Sequence, residues 1–145
     1  MTQSEVIKAE KAAPLKRTQA SLVYRDKEFG IPAQVLFEFT DGRLDDISYV
    51  ADSPAQNPEL AFLTWCLELT KRYGQGVVYF NKKPVGRPGL MLDESLKQFW
   101  KQTEGEILVV YEPQGITNVG VGITLINGSP IVEMDYAATP KEHHL

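Results

Sequence analysis

Side chains able to do covalent or metal chemistry are few in this chain, and their spacing does not bring them together. The two histidines, His143 and His144, lie in the last three residues, where a frayed terminus cannot hold a general base or a metal ligand in place. The single cysteine, Cys66, has no histidine placed to activate it. It falls on the apolar arc of a predicted helix, which favours core packing over nucleophilic attack, and alone it forms no intramolecular disulfide. Asp45 and Asp46 are adjacent on a predicted strand and so point to opposite faces, whereas a glycosidase pair must converge. Asp93 and Glu94 open a short helix, where capping and the helix dipole account for them. The acidic stretch from Glu38 to Asp52 lacks the ligand order of a calcium loop. Tyr73-Gly74-Gln75-Gly76 follows a helix, while a phosphate-binding loop has to precede one. Gly120-Val121-Gly122 sits inside a strand run, where glycines mark a bulge or a close backbone approach. No catalytic residue, cofactor or metal site is expected from these residues.

Partner-binding groups are easier to find. Lys82-Lys83-Pro84-Val85-Gly86-Arg87-Pro88 is rich in cations and turn formers. It resembles the AT-hook, which lays an Arg-Gly-Arg-Pro core along the minor groove of A·T-rich DNA, but Val85 stands where the first of those arginines belongs. Half of the core contact is thereby removed, and nucleic acid is not expected as a partner. Trp65, at the margin of the main helix's apolar arc, and Trp100, at the end of a short helix, are candidate anchors for another protein. The candidate partner-binding residues are therefore Lys82, Lys83, Arg87, Trp65 and Trp100.

Charge points the same way. The chain carries a formal net charge of −4, unlike a protein devoted to nucleic acid or an anionic membrane. From Glu38 to Glu68 seven acids face Arg43 alone, and from Asn81 to Lys101 five bases face two acids. One pole is acidic and another mildly basic. No apolar run is long enough to span a bilayer, so no membrane insertion is expected. The N-terminus lacks the order of a secretory signal, which makes the cytoplasm the default compartment; a periplasmic or secreted protein whose leader has been removed would read alike.

The elements that must position these residues centre on Asn57 to Gly74. Asn57 suits the N-cap, Pro58 the first helical position and Gly74 the exit. Leu60, Phe62, Leu63, Trp65, Cys66, Leu67, Leu69 and Tyr73 form a broad apolar arc, with Thr64, Glu68, Lys71 and Arg72 opposite. Leu63 and Leu67, near the middle of that arc, are expected to face a sheet, and Glu68 is expected to pair with Arg72. Strands are predicted at 20–25, 33–40, 43–50, 76–80, 106–111, 120–126 and 131–136. Asp41-Gly42 and Asn127-Gly128 are predicted hairpin turns, Asp26 to Pro32 a connection, and Glu94 to Lys101 a short helix with Leu96, Phe99 and Trp100 inward.

With 145 residues there is room for one core. The expectation is an α+β domain over 18–137, with one antiparallel sheet of about five to seven strands and one main and one short helix packed on one face. Residues 1–17 and 138–145 are expected as flexible tails, the first becoming helical on a partner. The run from Phe37 to Leu44 followed by a helix ending Lys71-Arg72-Tyr73-Gly74 resembles small uncharacterised bacterial α+β proteins. That resemblance covers the middle third of the chain and implies fold alone.

Three functions are compatible with this reading. The first is a non-enzymatic protein-binding or inhibitory module, suggested by the scarcity of catalytic residue types and the opposed charge poles. The second is a carrier of a small apolar ligand, or an enzyme with an unrecognised pocket between helix and sheet, since six tyrosines and six phenylalanines could line one. The third is a structural homo-oligomer, such as a homodimer, paired through an exposed sheet edge.

Overall fold

The computed structural model describes residues 1–10, 13–52, 57–85, 90–113 and 118–137. Arg87 and the segment 138–145, with both histidines, lie outside the described residues. The elements run α1 (Gln3–Ala9), β1 (Lys16–Arg17), β2 (Ser21–Glu28), β3 (Ile31–Thr40), β4 (Arg43–Ala51), α2 (Pro58–Tyr73), β5 (Val77–Phe80), β6 (Lys83–Pro84), α3 (Leu90–Phe99), β7 (Gly105–Tyr111), β8 (Val119–Ile126) and β9 (Ser129–Ala137). All the strands join one open antiparallel sheet in the order β1-β2-β3-β4-β9-β8-β7-β5-β6. The sheet thus has nine strands, where the sequence predicts five to seven. The two additions, β1 and β6, are two-residue edge pieces too short to leave a periodic signal.

Tight turns set the hairpin registers. Asp41-Gly42 and Asn127-Gly128 take positive φ at both residues, as two-residue hairpins of this hand require. Phe29-Gly30 and Asn81-Lys82 do the same, although Phe and Lys give no such sequence signal. The segment Asp26 to Pro32, read as a connection, is therefore the tip of the β2–β3 hairpin, with Glu28 opposite Ile31. Pro32 is tolerated near that tip because the β3–β4 ladder ends there: its carbonyl accepts from the Asp52 N–H at 2.9 Å, and no donor is needed. A bulge leaves Glu38 facing Asp46 and Phe39 facing Leu44, so Asp45 is the additional residue of β4.

All three helices cover one sheet face. On β3 the buried residues Ile31, Ala33, Val35, Phe37 and Phe39 alternate with half-buried or exposed ones. Ile31 and Ala33 belong to the core beneath α2 and α3, and the other three to a second cluster beneath α1. Within residues 1–17, expected as a tail, α1 places Val6 in that second cluster at 3% exposure. A capping box between Thr2 and Glu5 closes its first turn, and a segment too polar to fold alone is held by one buried valine and a good cap.

The caps of α2 are those the sequence predicts: Asn57 accepts from the N–H groups of Glu59 and Leu60, Pro58 opens the helix, and Gly74 ends it at φ 79°. Its buried face is different. Ala61, Phe62, Trp65, Cys66 and Leu69 are buried, while Leu63 is half-buried and Leu60 and Leu67 are each 56% exposed. At 100° per residue the buried set is rolled by roughly 80° from the centre of the apolar arc. Leu63 and Leu67 therefore do not lead the sheet contact, because the arc is wider than the surface that covers it. Glu68 pairs with Lys71 at 3.3 Å, not with Arg72, whose guanidinium lies 4.7 Å from the centre of the Phe29 ring. Among the described residues no helix is long and apolar enough to cross a membrane.

This packing ranks the helix residues. Phe62→Ala should lower the unfolding free energy by about 3–5 kcal/mol through cavity formation. Leu67→Ala should change it by no more than about 0.5 kcal/mol. Urea melts of the two variants measure both.

Candidate functional site

The roll of α2 brings a stripe of residues to the gap between α2 and α3. Glu59, Leu63, Cys66, Leu67 and Thr70 follow one another at helical spacing along that side. Beneath them a cleft of about 380 Å³ has Val109 and Tyr111 of β7 as its floor, Leu92 of α3 as its far wall, and Gln75 at its end. Leu63 also borders a second, smaller cleft of about 270 Å³ with Leu96, Lys97 and Trp100. The two form a groove with Leu63 at its middle.

Gln75 is placed by its neighbours. Gly74 turns the chain out of α2 at positive φ, a geometry that glycine adopts without strain. Gly76 passes so near β7 that a Cβ there would lie 2.7 Å from the Val110 carbonyl oxygen. The backbone can follow that course only where a side chain is missing.

The polar end of the large cleft is a small hydroxyl network. Tyr111 donates its hydroxyl proton to the Cys66 carbonyl at 2.9 Å, and its oxygen lies 2.9 Å from Thr70 Oγ1. Burial raises the Tyr111 pKa, and proximity to Cys66 raises it further. Burial also pushes the Cys66 thiol up to about 12. The cysteine on the cleft wall is thus a neutral thiol, and none of the described lining residues carries a charge at neutral pH. Such a lining can enclose an apolar molecule and offer it a few hydrogen bonds, whereas acid–base work needs a group that titrates near the working pH.

The candidate residues read from the sequence do not form one site. Trp65 is fully buried and donates Nε1–H to the Glu28 carbonyl at 2.9 Å, so it is core and not an exposed anchor. Its position is marginal in the apolar arc but not in the buried set, whose centre differs from the arc's. Trp100, expected inward, is 39% exposed; it packs edge-on against Phe99 and donates Nε1–H to Glu59 at 2.6 Å. Of the four candidates among the described residues it alone borders the groove. Lys82 occupies the β5–β6 turn and Lys83 the sheet edge, both exposed. Lys82 to Val85 thus belong to a hairpin, with the Val85 N–H bonded to the Val78 carbonyl at 3.0 Å, and not to a free strand that could enter a DNA groove. Arg87 lies outside the described residues.

Sequence reasoning gives no site role to Thr70, Gln75 or Tyr111, and it assigns Leu67 to the sheet contact. One signal is available: eight apolar residues on α2 exceed what one sheet contact covers, and Thr70 lies on the same side of the helix as the surplus leucines Leu63 and Leu67. On the opposite sheet face Glu106, Glu133 and Asp135 surround a cleft of about 160 Å³ above Gly120 and Gly122. Among the described residues no group of three ligating side chains could hold a metal ion. In comparisons with known proteins, no family model, curated protein or solved structure matches the chain.

The raised thiol pKa fixes a pH dependence. A group that titrates at about 12 when folded and at about 8.5 when unfolded contributes stability that is fully present below 8.5 and lost as pH rises toward 12. Unfolding free energy should therefore fall across that interval, and Cys66→Ala should make the fall shallower. Chemical unfolding from pH 8 to 11 measures this. At pH 8 an aromatic disulfide reagent should label native Cys66 far more slowly than the urea-unfolded chain.

Proposed function

We propose that this chain is a binding protein for a small, largely apolar molecule, held in the cleft between α2, α3 and β7. The observation that supports the reading is the leucine stripe turned away from the sheet. Leu67 is 56% exposed beside a concave surface floored by Val109 and Tyr111. Burying a leucine side chain contributes about 1.5–3 kcal/mol, so an occupant covering this stripe recovers energy that the empty fold leaves unused. The volume of about 380 Å³ falls in the range of small-molecule sites, and the mostly apolar lining with a few polar groups has their usual character.

A second reading has its own support. The stripe continues past Leu63 to Trp100, with Leu60 exposed on the same helix. An amphipathic helix of another protein, laid along the groove, would meet apolar anchors at helical spacing. The protein-binding module expected from the sequence would use a surface at Trp100 and the leucines, away from Lys82 and Lys83. Pairing of copies through the sheet edges has less support, since the edge strands are two residues long and consist of Lys16, Arg17, Lys83 and Pro84, residues that discourage edge pairing.

A thermal-shift screen over neutral metabolites and lipids separates the first two readings. A ligand at a hundred times its dissociation constant should add about 2.7 kcal/mol of stability. Leu67→Glu, which places a charge at the cleft rim, should abolish the shift while leaving the free protein's midpoint nearly unchanged. The absence of any shift, together with capture of a helical partner that Leu67→Glu prevents, would favour the second reading.

A further inference from the structure

We infer that the cleft selects ligands that present a neutral hydrogen-bond donor, an alcohol or a phenol, and discriminates against carboxylates. The inference rests on the small-ligand reading and follows from counting protons at its polar end. A tyrosine hydroxyl has one proton to donate, and a backbone carbonyl can only accept. The 2.9 Å contact between Tyr111 and the Cys66 carbonyl therefore uses the Tyr111 proton. The proton in the 2.9 Å contact between Thr70 and Tyr111 must then come from Thr70. Both hydroxyl protons are committed inside the protein. Tyr111 is only 2% exposed, so the oxygen that faces a ligand is that of half-buried Thr70, which has only lone pairs left to offer.

The surroundings reinforce that polarity. Thr70 stands in the last turn of α2, at the negative end of the helix dipole, where an anion is disfavoured. The two cations of that turn are engaged elsewhere, Lys71 with Glu68 at 3.3 Å and Arg72 over Phe29 at 4.7 Å. A carboxylate in the cleft would lose its water without gaining a positive partner. Gln75 offers both a donor and an acceptor, and the Cys66 thiol is a weak donor, so neither reverses the preference.

Three naphthalenes of similar shape test this at pH 7 with the full chain: 2-naphthol, which donates; 2-methoxynaphthalene, which only accepts; and 2-naphthoate, which is anionic. In fluorescence titrations 2-naphthol should bind about 5-fold tighter than 2-methoxynaphthalene, the scale of one net hydrogen bond, and 2-naphthoate should bind weakest. Thr70→Val should erase the 5-fold preference by weakening 2-naphthol alone, and Thr70→Ser should restore it. Equal or tighter binding of 2-methoxynaphthalene or 2-naphthoate to the native chain would overturn the inference while leaving the cleft a binding site. Failure of all three to bind would overturn the small-ligand reading of the cleft, and this inference with it.

Discussion

The rotational setting of α2 on its sheet depends on burying Trp65. An indole of that size gains most from full burial, but its N–H then needs an acceptor inside the protein. The Glu28 carbonyl, beside the Phe29-Gly30 turn, supplies it at 2.9 Å. Across the helix, Tyr111 reaches up from β7 to the Cys66 carbonyl. These two bonds tie opposite sides of α2 to strands on either side of it, and Arg72 stacked over Phe29 fixes the last turn. With the helix so held, Phe62 and Leu69 must point down and Leu63 and Leu67 toward α3. The cleft is therefore a consequence of how the core is satisfied.

The sheet solves a separate problem at its ends. An open antiparallel sheet exposes two rows of unpaired backbone groups that could recruit further strands. Here β1 offers Lys16 and Arg17 at one edge, and β6 offers Lys83 and Pro84 at the other. Each is short, carries charge, and at β6 includes a residue with no N–H to donate. The lysines that resemble part of a DNA-binding segment thus find a structural explanation in the edge they occupy. At the β1 end, α1 extends the core over strands that α2 does not reach, through Val6 and half-buried Ile7.

What could be read from the sequence was what local chemistry determines. Asn57, Pro58 and Gly74 mark the ends of α2 because capping depends on a few neighbouring atoms, and Asp41-Gly42 and Asn127-Gly128 mark turns because both residues tolerate positive φ. Phe29-Gly30 and Asn81-Lys82 make the same turns with residues that do not announce them; there the pairing of the flanking strands imposes the conformation. The sequence predicts helix in residues 1–17 only on a partner, because two sizeable apolar residues in seven give no periodic signal and the surface on β2 and β3 that holds α1 is distant in sequence. The cleft was hidden for a related reason. A helical wheel shows that α2 is apolar over a wide arc, but which part of the arc meets the sheet is decided by Glu28 and Tyr111, far from it along the chain.

A gap flanked by leucines should tend to close, because bringing α3 toward α2 would bury them. What opposes closure is that each helix is committed to its own strands. Phe99 is fully buried and Leu96 nearly so, and α3 packs over β5 and β7 while α2 packs over β7, β8 and β9. Sliding α3 inward would withdraw Phe99 from its site, at a cost comparable to a large cavity of about 3–5 kcal/mol. Covering one or two half-exposed leucines would return less than that. The bond from Trp100 to Glu59 joins the helices at one end of the groove only. The other end, at Thr70, has Leu92 across from it and no cross-link between the helices among the described hydrogen bonds. The balance therefore favours an open cleft between the two helices.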